Sequence, residues 1–105
     1  AAKDCQVSEE FVHFVLSGRV QHVGYRRYVV RQANLCGVKG WVRNNADSTV
    51  EVVAFGEVSA LGAFLQKAQT GPLFAKVLDV RFITSDSPDT IAQEKQAFGF
   101  NVRFA

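Results

Sequence analysis

Cysteine is scarce in this chain of 105 residues: Cys5 and Cys36 are the only two. They form no Cys-x-x-Cys pair and no histidine cluster accompanies them, so a zinc site does not fit. They read as plain thiols in a reducing compartment, with a disulfide that ties down the N-terminal tail as the other option. Long hydrophobic runs are also missing. The uninterrupted apolar stretches last only a few residues, and none could span a bilayer. Residues 1–10 carry Lys3, Asp4, Glu9 and Glu10 without an apolar stretch, so they do not read as a signal peptide. Internal repeats, a linker and a second domain are absent as well. What remains is a flexible tail over residues 1–10 and one domain over 11–105, with room for one core.

The composition is that of an ordinary globular protein, 48% hydrophobic and 21% charged. Net charge is only +2, but it is unevenly placed. Between residues 11 and 50 stand Arg19, Arg26, Arg27, Arg31, Lys39 and Arg43 against one acid, Asp47. That half attracts anions, and both a small dianion and a nucleic acid suit such a field.

Residues 11–20 are rich in β-branched and aromatic types and predict a strand. From Tyr25 the apolar positions recur mostly at three- and four-residue steps through Cys36, which predicts a helix stopped by Gly37. A hairpin is predicted over 40–55 around Asn45 to Ser48. Val58, Leu61, Phe64, Leu65 and Ala68 make a second helical stripe ended by Gly71-Pro72. Residues 75–83 read as a strand and the polar stretch 84–97 as a long loop. Phe98, Phe100, Val102 and Phe104 alternate with smaller or polar residues as a final strand. The order β-α-β-β-α-β plus one terminal strand predicts an α+β, ferredoxin-like sandwich, with an antiparallel sheet carrying two helices on one face.

One segment concentrates the chemistry. Gly18-Arg19-Val20-Gln21-His22-Val23-Gly24-Tyr25-Arg26 is a strand end, a glycine-flanked loop and a helix start carrying a cation. Loop amides over Gln21, His22, Val23, Gly24 and Tyr25 can converge because Gly24 lets the backbone turn sharply. The helix start adds roughly half a positive charge. Arg26 can grip two oxygens of a phosphate with its planar fork. These are the parts of a phosphate cradle. A second stretch, Gly40-Trp41-Val42-Arg43-Asn44, belongs to the strand expected beside the first one. Its Asn44 can approach the cradle and hold a water in line with a bound phosphorus, although Asn44 and Asn45 also suit a plain turn.

Both stretches resemble the signatures of the acylphosphatases. The first is similar to Gly-[Arg/Lys]-Val-Gln-Gly-Val-x-[Phe/Tyr]-Arg, and the second to Gly-[aromatic]-[small]-[Lys/Arg/Gln]-Asn. The resemblance runs from about Val12 to Phe104. It implies hydrolysis of carboxyl-phosphate anhydrides, with Arg26 and the loop binding the phosphate and Asn44 orienting the attacking water. It implies no metal or cofactor, a cytoplasmic monomer, and a small acyl phosphate as partner rather than nucleic acid or membrane. Inorganic phosphate or sulfate would occupy the loop. Two other readings stand beside it: a non-catalytic phosphate- or carbamoyl-phosphate-binding domain, and a nucleic-acid-binding ferredoxin-like domain. The second lacks the aromatic signature of RNA-recognition modules.

Two positions depart from the pattern: His22 replaces a glycine, and Ser48 stands where many relatives have one. At residue 22 the ring turns to solvent, crowds the anion, or contacts it when protonated. We expect His22→Gly to raise catalytic efficiency. Identical kinetics for the two proteins from about pH 5 to 8 would leave only the solvent-facing ring.

Overall fold

Alternation along β1 (Glu9–Arg19) sends Phe14 and Leu16 into the core and turns His13 to the opposite face of the sheet. The structure, a computed structural model, describes residues 9–21, 24–72, 75–94, 96 and 99–103. Most of the expected N-terminal tail, with Cys5, lies outside these residues, as do Phe98 and Phe104 of the expected last strand. After β1 come α1 (Tyr25–Cys36), β2 (Lys39–Asn44), β3 (Val50–Glu57), α2 (Val58–Thr70), β4 (Lys76–Phe82), α3 (Pro88–Glu94) and β5 (Phe100–Val102). Among the described residues no helix is long and apolar enough to cross a membrane.

The helices form where the stripes predict. In α1 the residues Tyr25, Val29 and Ala33 are buried, and the helix ends as Gly37 takes a left-handed conformation with φ 74°. In α2 they are Leu61, Phe64 and Ala68. Both stripes cover one face of the sheet, where Phe14 meets Phe64 at 6.4 Å between ring centroids. Tyr25 and Tyr28 of α1 donate hydroxyl hydrogen bonds to the Ala68 and Lys67 carbonyls of α2, at 2.5 and 2.9 Å. Cys36, at the end of α1, is a free, half-buried thiol.

The strand order is β4-β1-β3-β2-β5. Its β1–β3, β1–β4 and β2–β3 pairs are antiparallel, but β5 runs parallel to β2, so the sheet is mixed rather than wholly antiparallel as expected. The reason is directional. The chain leaves β4 on one edge and must cross to the other edge, and it enters β5 from the end at which β4 finished. That crossing is not the loop expected over 84–97, for it contains α3. Ser87 opens this helix by accepting the Thr90 N–H at 3.2 Å, with Pro88 and the acid Asp89 in the first turn.

The crossing covers the outer face of the sheet. Trp41 is only 6% exposed there. Its indole N–H donates to Glu94 at 2.5 Å, with the Arg103 guanidinium 4.4 Å and that of Arg43 5.3 Å from the ring centroid. His13 is a sheet-face histidine. One ring nitrogen bonds Glu51 and the other Asp86 at 2.7 Å, while Arg43 donates to Glu51 at 2.9 Å. Burial alone pushes the Glu51 carboxyl up, but the bonds from His13 and Arg43 outweigh it and hold Glu51 below its ordinary 4.5.

Two stability measurements test this arrangement. Because the Glu51 carboxyl is depressed in the folded state, its contribution is full above its ordinary range and is lost as pH falls through the depressed value. Wild type should therefore exceed Glu51→Gln in urea midpoint near neutrality, and the gap should close between about pH 5 and pH 3. A gap independent of pH would deny the ion pair. Ser48 is the only described non-glycine residue with positive φ, at 72°. Ser48→Gly should raise unfolding free energy by about 0.5–1 kcal/mol, and an unchanged midpoint would show no strain to relieve.

Candidate functional site

The end of β1 is bent toward the site by its sequence. The pairing with β4 shifts register between Ser17 and Gly18, a bulge that re-aims the next few residues. Gly18 has φ 120°, and a Cβ there would lie 2.2 Å from the Lys76 carbonyl oxygen, so only glycine fits. Beyond Arg19 the buried Val20 leads to Gln21, and His22 and Val23 lie outside the described residues. Gly24 then turns the chain into α1 with φ 77° and ψ 15°.

The start of α1 is electropositive by construction. No described side chain caps it and its first turn holds no acid, which leaves N–H groups pointing out of the helix end. Tyr25 anchors this end from inside, 1% exposed. Burial, and secondarily Tyr28, push its phenol well above the ordinary tyrosine value, so it stays a neutral donor to Ala68. The next two residues are Arg26, half-buried, and Arg27, exposed.

A cavity of about 560 Å³ opens at this helix start, lined by Gly24, Tyr25, Arg26, Arg27 and Asn44, with Val20, Val30 and Val102 completing the wall. Its size lies within the roughly 300–1,000 Å³ of small-molecule sites. Asn44 is the last residue of β2 and lies on the helix-covered face with Val42. Its Oδ1 is buried and, among the described residues, is the only buried side-chain polar atom without a hydrogen-bond partner. A buried acceptor left open in this way calls for a ligand or water. Among the described residues no group of three His, Cys, Asp or Glu side chains is placed to hold a metal ion.

The structure thus brings Gly24, Tyr25, Arg26 and Asn44 to one cavity. The side chain of Gln21 faces elsewhere, to the β2–β3 turn, where it donates to the carbonyls of Asn45 and Thr49 at 2.9 and 2.8 Å. Arg43 turns to the outer face with Glu51. Sequence reasoning gave Arg27 only a field role, yet it lines the cavity. Its place beside Arg26 in the first helical turn was the available signal. The wall residues Val20, Val30 and Val102 come from three separate segments, and no local pattern marks them.

The Acylphosphatase family model matches residues 12–98. An acylphosphatase of Acidiphilium cryptum is 38% identical over 87 residues, covering 83% of this chain and 96% of that protein. One from Geobacillus kaustophilus is 41% identical over 85 residues, covering 81% of this chain and 87% of the relative. The crystal structure of acylphosphatase from Bacillus subtilis superposes with a TM-score of 0.76 at 28% identity, over 91% of this chain and 99% of that one. With the split β-α-β order, the bulged end of β1 and the arginine-asparagine cavity already in place, these matches settle the kinship: the chain belongs to the acylphosphatase family.

Proposed function

We propose that this protein hydrolyses acyl phosphates to a carboxylate and inorganic phosphate, with Arg26 and the loop amides over residues 21–25 binding the phosphoryl group and Asn44 orienting the water. Family membership supports the reaction. The observation that carries the assignment of roles is the unpartnered, buried Oδ1 of Asn44 in the same cavity as Arg26 and the start of α1.

The chemistry matches these means. Water attacks phosphorus, the bond from phosphorus to the bridging oxygen breaks, and the acyl group leaves as a carboxylate with the electron pair. That leaving group has a pKa near about 4, so no general acid is required. What remains is positioning and charge stabilisation. The guanidinium and amides meet the phosphoryl oxygens, and the Asn44 oxygen accepts a hydrogen bond from the water and fixes its line of approach. Charge on the phosphoryl group is met without a metal in this scheme. The same reading has the protein acting as a cytoplasmic monomer on a small diffusing anion. Nucleic acid is disfavoured as a partner because Trp41, on the sheet face where bases would stack, is covered by Glu94 and Arg103.

Benzoyl phosphate hydrolysis followed in the ultraviolet with chelator present tests this directly. Wild type should turn over. Arg26→Gln should lose at least about a hundredfold in rate, and Asn44→Ala should lose a comparable factor in kcat with little change in inhibition by phosphate. A rate for Arg26→Gln within about tenfold of wild type would remove Arg26 from the scheme.

A further inference from the structure

We infer that Gln21 is a positioning residue: its side chain locks the phosphate loop to the β2–β3 turn and so sets the distance between a bound phosphoryl group and Asn44. This rests on the roles proposed above for the cavity.

The geometry is specific. The Nε2 of Gln21 donates to the Asn45 carbonyl at 2.9 Å and to the Thr49 carbonyl at 2.8 Å. An amide nitrogen carries two protons, so both are spent. The remaining atom, Oε1, is an acceptor and has nothing to offer an anion. The reverse orientation would set an oxygen against two carbonyl oxygens, so the donor assignment is dictated by the partners. The Gln21 side chain is therefore not a phosphate ligand.

What it grips matters. Asn45 directly follows Asn44, and Thr49 directly precedes Val50, the register partner of Asn44 across the hairpin. The clamp thus holds the Thr49–Val50 peptide, which adjoins that pair, and the Asn45–Ala46 peptide one residue beyond it, from the residue that opens the proposed loop over 21–25. The turn itself is stiff. The Asn45 N–H donates to the Thr49 carbonyl at 2.8 Å and the Asn45 amide to the Thr49 hydroxyl at 3.1 Å. Arg43 Nε holds the Asn45 Oδ1 at 3.1 Å, and Asp47 accepts from the Thr49 N–H at 3.1 Å and from its hydroxyl at 2.5 Å. A stiff turn tied to the loop by one amide transmits the loop's position to Asn44. An untied loop would leave each half of the site intact but loosely spaced, and misplacement of about 1 Å costs in-line chemistry on the order of a hundredfold.

The test is a double-mutant cycle on kcat. Gln21→Met keeps length and removes both donors, and Gln21→Glu puts a carboxylate oxygen against the two carbonyls. Each is measured alone and in Asn44→Ala, with urea midpoints and phosphate inhibition constants alongside. Each Gln21 change should lower kcat by about ten- to a hundredfold in wild type and by less than about threefold in Asn44→Ala. The phosphate inhibition constant should move by less than about threefold. Equal factors in the two backgrounds would overturn the clamp, because a purely structural role or a direct phosphate contact does not depend on Asn44. If Asn44→Ala itself stays within about threefold of wild type, the clamp and the role of Asn44 both fall, while turnover of benzoyl phosphate still upholds the reaction.

Discussion

One row of residues across the sheet determines the geometry of this molecule. Val50 pairs with Leu16 of β1 on one side and with Asn44 of β2 on the other. That shared partner fixes where β1 ends relative to where β2 ends, and the segment that leads to α1 leaves the first while Asn44 stands on the second. Side chains in a strand alternate between faces, so a slip of one residue between β2 and β3 would turn Asn44 away from the helices. The register is well defended. In β3 every residue from Val50 to Gly56 is buried, so a slip would expose apolar side chains on both faces and bring Glu51 into the core.

The site is cationic because of what is missing as much as what is present. The cavity lining contains two arginines and no acid among the described residues, and the helix start beside it has neither a side-chain cap nor an acid. On the outer face the acids are paired: Glu51 and Asp86 with His13, Glu51 also with Arg43, and Glu94 with Trp41. Ion pairing on the outer face and an acid-free cavity lining on the helix-covered side thus both follow the alternation of strands.

Most of this was legible in the sequence because periodicity reports burial. The bounds of α1 are set by a stripe that starts at Tyr25 and a glycine at 37. Two features escaped. The helix α3 was hidden by a polar composition, although Ser87-Pro88-Asp89 is a helix-start pattern, with a cap, a pre-set φ and an acid at the positive end. The parallel entry of β5 was invisible because strand direction depends on where a crossing delivers the chain, not on the residues of the strand. That Arg26 and Asn44 would come near each other was legible because one follows the glycine that opens α1 and the other ends β2. The apolar wall was not, since Val20, Val30 and Val102 meet only through the tertiary fold.

Those valines and Arg27 bear on what the cavity can select. In the proposed scheme the phosphoryl group takes the loop amides, the helix start and Arg26. The rest of the wall is three branched aliphatic side chains and the second guanidinium, open to solvent through the exposed Arg27 and Val102. Aliphatic contacts discriminate among acyl groups by only about 1–3 kcal/mol per methylene-sized difference, and an open wall by less. In the proposed scheme the polar contacts thus go to the anion and the water, the parts common to every acyl phosphate.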